Sequence, residues 1–131
     1  MEERFRVLVV DDEDDFRETL VKRMEKRNLD VSGAENAQKA LNLMAREAFD
    51  VVVLDVKMPG MDGIETLREL KKKNPLTEVI LLTGHASVES GIEGMKLGAF
   101  DYLMKPVNID ELLGRVRQAY ERKMIHEEHL D

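Results

Sequence analysis

The chain has 131 residues, of which 43% are hydrophobic, and its formal net charge is −7. This length fits one domain with its own core, and no apolar stretch approaches the ~20 residues that a membrane span needs. The acidic balance argues against binding to nucleic acid or to an anionic membrane surface, and the absence of cysteine excludes disulfides and Cys-ligated zinc. The first residues lack the basic and then apolar start of a secretory signal, so we expect a cytoplasmic protein.

Short apolar segments alternate with segments of helical periodicity along the whole chain. The first predicted strand covers Phe5 to Val10 and runs directly into five consecutive acids. Among these acids, Asp14 is suited to cap a first helix whose apolar face includes Phe16. Val31 and its neighbours predict a second strand, and Asn36 is a candidate cap for the second helix.

The third predicted strand is uniformly apolar from Val51 to Leu54, which is typical of a strand buried on both faces. It delivers a single carboxylate, Asp55, to its carboxyl end. Proline and glycine residues then break the strand, and Asp62, followed three residues later by Glu65, has the spacing of a capping box. From this stretch alone, Asp55 fits a strand-terminating acid as well as it fits a catalytic group.

The fourth unit consists of a strand from Glu78 to Leu82, which closes on Thr83, and a helix from about Ser87. This helix contains Gly91 and Gly94, each of which costs about 1 kcal/mol relative to Ala in a helix interior. We therefore expect it to be the least stable of the five helices. We also expect Ala at both positions to stabilise the fold.

The fifth unit begins with a strand from Asp101 to Met104, which ends at Lys105. Asn108 then caps the last predicted helix. No glycine or proline stops this helix in the segment Glu121 to Asp131, so it can run on beyond the domain.

Strict alternation of apolar strands and helices indicates a parallel sheet with helices on both faces. For five such units the common arrangement is a flavodoxin-like, doubly wound α/β fold with strand order 2-1-3-4-5. Ligands of this fold bind outside the carboxyl ends of the strands, at the switch point between the first and third strands. We expect the polar residues at those ends to converge on one edge: Asp11, Asp12, Asp55, Thr83 and Lys105.

Three carboxylates placed this close repel one another by roughly several kcal/mol per pair in a partly buried setting, so positive charge must lie among them. Lys105 supplies one charge, and Mg²⁺ best supplies the rest because carboxylates, water and phosphate oxygens are its usual ligands. Such a site suits an incoming phosphoryl group, with Asp55 as the nucleophile and the Thr83 hydroxyl as a donor. The expected product is an aspartyl phosphate.

Four motifs in this order resemble the receiver domain of two-component response regulators, the CheY-like family. They are Asp11-Asp12-Glu13, the segment Asp55 to Gly63, Thr83-Gly84, and the segment Tyr102 to Pro106. The resemblance covers residues 4–122 and leaves residues 123–131 as a helical extension or the start of a linker. It implies a signalling switch and not an enzyme, because the domain would assist only its own phosphorylation and dephosphorylation.

The resemblance implies that Asp55 accepts phosphate from a sensor histidine kinase or a phosphotransfer protein. Asp12 would bind Mg²⁺ directly and Asp11 mostly through water. Asp55 and the backbone carbonyl of Lys57 would complete the protein ligands. Mn²⁺ would serve as a substitute.

The resemblance also implies how the signal leaves the site. Lys105 would pair with the phosphoryl oxygens, and Thr83 would move to hydrogen-bond them while the Tyr102 ring turns inward. The face formed by the fourth helix, the fifth strand and the last helix would then change its binding to a downstream effector. The same face is the expected site of a phosphorylation-dependent homodimer.

Two further expectations concern the surroundings of the acceptor. Lys57 and His85 lie two positions after Asp55 and Thr83, where the resemblance places side chains beside the path of the attacking water. We expect them to lengthen the lifetime of the phosphate. We also predict a cis peptide bond before Pro106, since its neighbour must turn back into the site and an X-Pro cis bond costs only about 0.5 to 1 kcal/mol.

Two other functional classes fit part of the pattern. A phosphatase of the haloacid dehalogenase type also uses a strand-end Asp and Mg²⁺, but it needs a second Asp two positions later, where this chain has Lys57. A pseudo-receiver, which binds partners without being phosphorylated, normally lacks one of the acids or the lysine. All of them are present here.

Overall fold

The computed structural model describes residues 5–57, 62–84 and 88–129, and the side chains of all of these except 88–90. Strands and helices alternate through the whole described chain. The strands are Arg6–Val10 (β1), Asp30–Ala34 (β2), Val51–Asp55 (β3), Glu78–Thr83 (β4) and Asp101–Met104 (β5). The helices are Asp14–Lys26 (α1), Ala37–Arg46 (α2), Gly63–Lys73 (α3), Val88–Lys96 (α4) and Ile109–Glu128 (α5).

The five strands form one parallel sheet in the order β2-β1-β3-β4-β5, which confirms the predicted flavodoxin-like topology. Alternate strand residues face two separate apolar layers. Leu8, Val52 and Leu81 pack under α2 and α3, whereas their sequence neighbours on the same strands pack under α1 and α5. This burial on both faces explains why the strands are apolar without alternation.

Three helix caps are confirmed. The side chains of Asn36, Asp62 and Asn108 each accept a hydrogen bond from the backbone N–H three residues later, at 2.8, 2.9 and 3.1 Å. These bonds satisfy donors that have no partner inside the helix. The start of α3 lies beside the end of β3, because the N–H of Gly63 donates to the Val56 carbonyl at 2.8 Å.

The prediction that Asp14 caps α1 is wrong. Asp14 is the first residue of the helix, and Glu13 occupies the cap position. The Asp14 carboxylate instead forms an ion pair with Arg17, at 2.7 Å, one turn later in the helix. That guanidinium also donates to the backbone oxygen of Asp11, at 2.8 Å, so the pair fixes the start of α1 against the end of β1.

The glycines of α4 allow close packing. A Cβ at Gly94 would lie 2.3 Å from Cδ1 of the fully buried Leu81, and a Cβ at Gly91 would lie 3.1 Å from the Tyr102 ring. The expectation that Ala stabilises the fold therefore conflicts with the packing at Gly94. Helix propensity favours Ala, but beside a fully buried side chain steric contact outweighs it. At Gly91 the half-buried Tyr102 ring would have to shift by a few tenths of an ångström. Ser87, the expected start of this helix, lies outside the described residues.

The last helix continues without a break through Glu128, as the sequence predicts. Two ion pairs connect its second half to the amino ends of two strands. Arg122 Nε lies 2.9 Å from Glu78 Oε2, and Lys123 Nζ lies 2.9 Å from Asp50 Oδ1. Within the described parts of the chain, this and the other helices are all too short or too polar to cross a membrane.

Candidate functional site

Three carboxylates meet at the carboxyl edge of the sheet. Val10 and Leu54 are paired in the adjacent strands β1 and β3, so the residues that follow them emerge side by side. One oxygen each of Asp11, Asp12 and Asp55 lies within 4.8 Å of the others. Asp11 and Asp55 are buried, and Asp12 is exposed. The predicted convergence of these acids is therefore present.

Lys105 brings a cation into this cluster from the end of β5. Its Nζ lies 2.8 Å from Asp11 Oδ2, 2.9 Å from Glu13 Oε1 and 3.9 Å from Asp55 Oδ2. Burial alone would lower the pKa of Lys105, but the hydrogen bonds with Asp11 and Glu13 outweigh burial and raise the pKa. The side chain is therefore a fixed positive charge and not a proton acceptor.

The charge state of Asp55 is finely balanced. Burial and then the charge of Asp11 raise its pKa to about 6, while Lys105 and a hydrogen bond from the Lys57 backbone N–H, at 3.2 Å, act in the opposite direction. Part of this carboxyl group is therefore protonated near neutral pH, and only the ionised form of an aspartate is nucleophilic. A bound divalent cation would restore the ionised form.

The two predicted switch residues lie on neighbouring strands. Thr83 ends β4 and is buried, and it is paired with Met104 of β5. Tyr102 is half-buried, and its ring lies against the backbone of α4 at Gly91. The ring is thus one wall of an open apolar groove of about 580 Å³ that Ile92 and Met95 also line.

The chain turns sharply after β5. The Lys105 N–H donates to the Thr83 carbonyl at 2.7 Å, and the Lys105–Pro106 peptide bond is cis, as expected from the sequence. Lys57, one of the two residues expected to affect phosphate lifetime, is exposed beside the acceptor. His85, the other, lies outside the described residues.

Sequence reasoning missed two neighbours of Lys105. The Glu13 carboxylate binds its ammonium group, and the Phe16 ring lies beneath it, with 4.3 Å between Nζ and the ring centroid. Both residues come from the start of α1, 92 and 89 positions away in sequence. Glu13 looks like one acid in a run of five, and Phe16 fits the apolar face of a helix. Only the tertiary structure distinguishes them from their neighbours.

The model of the response regulator receiver domain family matches residues 7–117. The chain belongs to this family. Regulatory protein AtoC of Escherichia coli is 40% identical over 123 residues, which are 94% of this chain but 27% of AtoC. The DNA-binding transcriptional regulator NtrC of the same species is 36% identical over 113 residues, 86% of this chain and 24% of NtrC. The chain thus spans about a quarter of the length of these relatives.

Solved receiver domains have the same fold. A CheY-like receiver domain protein from Methanospirillum hungatei superposes with a TM-score of 0.90 at 30% identity, covering 95% of this chain and 99% of that one. The receiver domain of the Francisella response regulator 1452 superposes at 0.84 with 40% identity, covering 91% and 98%. As a receiver domain, this chain is a phosphorylation-activated signalling switch.

Proposed function

We propose that this receiver domain accepts a phosphoryl group on Asp55 and transmits its presence to the surface formed by α4, β5 and α5. The observation that carries the proposal is the meeting of Asp55 with a fixed cation and two further carboxylates at one sheet edge. An acid cluster with two buried members is costly to the fold, and a bound cation relieves that cost.

Each residue has a defined part in the transfer. An ionised Asp55 oxygen forms the bond to phosphorus while the bond from phosphorus to the donor breaks, and the leaving group keeps the electron pair. The Lys105 ammonium stabilises the charge on the phosphoryl oxygens, and it needs to move little because it starts 3.9 Å from Asp55 Oδ2. The Lys57 N–H, bonded to Oδ1, orients the acceptor.

Mg²⁺ fits this donor set, with Mn²⁺ as a substitute. The carboxylates of Asp11, Asp12 and Asp55, together with the backbone carbonyl of Lys57, would hold it. Support comes from three acidic oxygens within 4.8 Å, two of them on buried residues whose like charges need neutralising. When bound, the cation supplies charge neutralisation for the transferred phosphoryl group.

Transmission would begin at Thr83, whose hydroxyl would donate to a phosphoryl oxygen. Movement at the end of β4 frees space that the half-buried Tyr102 ring would occupy, and the groove beside α4 would change shape. Ile92, Met95 and Met104 are each about half exposed on this face, which is unusual for large apolar side chains and supports a contact surface. We assign a phosphorylation-dependent homodimer or effector contact to it.

The partners follow from this role. A sensor histidine kinase or a phosphotransfer protein would supply the phosphoryl group, and an effector domain or protein would receive the signal. The domain would act only on its own phosphorylation state, in the cytoplasm, without binding membrane or nucleic acid itself. Lys57 and His85 would set how long the phosphate persists.

Intact-protein mass spectrometry after incubation with Mg²⁺ and acetyl phosphate tests the proposal. We expect one phosphoryl adduct in wild type and in the Asp15→Asn control, which removes an exposed acid of the same run, and none in Asp55→Asn. Phosphate release without an adduct would indicate an aspartate-nucleophile phosphatase. A wild-type protein that forms no adduct would instead be an interaction module that works without phosphorylation.

A further inference from the structure

Glu13 contacts two charged neighbours of Asp55, namely Asp11 and Lys105. Its backbone N–H donates to Asp11 Oδ1 at 2.9 Å, and its side-chain oxygen lies 2.9 Å from Lys105 Nζ. The backbone bond orients the Asp11 carboxylate, while the side chain takes one of the three donors of the Lys105 ammonium. Asp11 Oδ2 takes a second donor at 2.8 Å.

These contacts hold the ammonium on the β1 side of the site. Nζ is in hydrogen-bond distance of Asp11 and Glu13 but not of Asp55, whose nearest oxygen is 3.9 Å away. The Phe16 ring, 4.3 Å below, adds a cation–π contact on the same side. A phosphoryl oxygen on Asp55 would therefore compete with Asp11 and Glu13 for the Lys105 ammonium.

The two carboxylates differ in how readily they release the lysine. Asp11 is nearly fully buried, with 2% of its side chain exposed, whereas the Glu13 side chain is 65% exposed. Water can replace Lys105 as a partner of Glu13, but it cannot reach Asp11 as easily. Glu13 is thus the contact that opens when Lys105 turns toward the acceptor.

We propose that Glu13 is a positioning residue that competes with the phosphoryl group for the Lys105 ammonium and so weakens the hold of the site on that group. The inference rests on the proposed phosphorylation of Asp55. It assigns to this one exposed acid, among the five that follow β1, a role that its neighbours lack. Because the contact is partly solvated, its effect is a matter of a few-fold in affinity.

Titration with Mg²⁺ and beryllofluoride, a phosphoryl mimic, tests the proposal. We expect Glu13→Gln to bind beryllofluoride roughly two- to fivefold more tightly than wild type at saturating Mg²⁺. Its affinity for Mg²⁺ without the mimic should be no higher than that of wild type, since Lys105 then relies more on Asp11. Asp15→Asn is the matched control, because it removes the same charge from an exposed position in the same run.

We expect Asp15→Asn to change the affinity for beryllofluoride by less than about twofold. If the two variants strengthen beryllofluoride binding equally, the effect is one of net charge and the positioning role of Glu13 is overturned. The same holds if Glu13→Gln binds the mimic as wild type does. If wild type itself fails to bind beryllofluoride, the result contradicts the proposed phosphorylation of Asp55, and the role of Glu13, which depends on it, is overturned as well.

Discussion

Asp11 directly follows β1 and Asp55 ends the adjacent strand β3; both are nearly fully buried, and an oxygen of each lies within 4.8 Å of the other. Burial and then the charge of Asp11 make the ionised form of Asp55 less favourable and raise its pKa to about 6. Repulsion between these two carboxylates is therefore only partly offset by Lys105, and a metal cation or a proton would relieve the rest.

The first prediction concerns pH. Because the pKa of Asp55 is higher in the folded than in the unfolded chain, the folded chain binds the proton more tightly. Stability should increase as pH falls from 7 through about 6 and should level off near 4, with a gain of about 2 kcal/mol from this group. Urea unfolding of wild type and Asp55→Asn without divalent cations measures it. The variant should be the more stable at pH 7, and the gap should narrow as pH falls through about 6 and close only below about pH 4; parallel profiles would contradict the assignment.

The second prediction concerns Mg²⁺. A cation that binds the native acids but not the unfolded chain stabilises the fold by mass action, by about 1.4 kcal/mol at ten times its Kd. Thermal melting should shift upward with millimolar Mg²⁺ in wild type and in Asp15→Ala. Asp12→Ala should melt at a higher temperature than wild type without metal and should lose most of the Mg²⁺ response. A full response in this variant would place the metal elsewhere.

The third prediction separates packing from helix propensity. Gly94→Ala should destabilise the fold by roughly 1–3 kcal/mol, because its Cβ would lie 2.3 Å from Leu81 Cδ1. Gly114→Ala is the matched control in α5, where a Cβ would meet no atom of the described residues within 4 Å. That change should stabilise by about 0.5–1 kcal/mol. Chemical denaturation of both variants decides the matter, and a stabilised Gly94→Ala would mean that Leu81 repacks at little cost.

The fourth prediction concerns the edge of the sheet where the strands begin, opposite to Asp55. Glu78 is buried at the start of β4, with Arg122 Nε at 2.9 Å and Lys71 Nζ at 3.7 Å. Arg122→Ala leaves that carboxylate with the more distant partner, so we expect a loss of about 1–2 kcal/mol. Arg117→Ala, at an exposed position of the same helix, should cost less than about 0.5 kcal/mol. Equal unfolding free energies for the two variants would mean that Lys71 alone neutralises Glu78.

The strand order and the acidic cluster can be predicted from local sequence, because a uniformly apolar strand and a side-chain cap can each be recognised within a few residues. Three features cannot. Asp14 is not the cap, because five consecutive acids leave the first helical residue undefined and Glu13 takes the cap position. Glu13 also binds a lysine 92 residues away, and Gly94 lies where a side chain from β4 needs its space. The last two contacts depend on which elements pack together, and helix periodicity and capping rules contain no such information.

Helix α5 begins beside the acceptor edge and ends at the opposite edge, where Arg122 and Lys123 bind the amino ends of β4 and β3. Its twenty residues span about 30 Å, whereas charges in physiological salt are screened over about 8 Å. The negative charge of a phosphoryl group at Asp55 would be weak at the far end of this helix. A displacement of the whole helix, by contrast, would carry the state of the site over that distance.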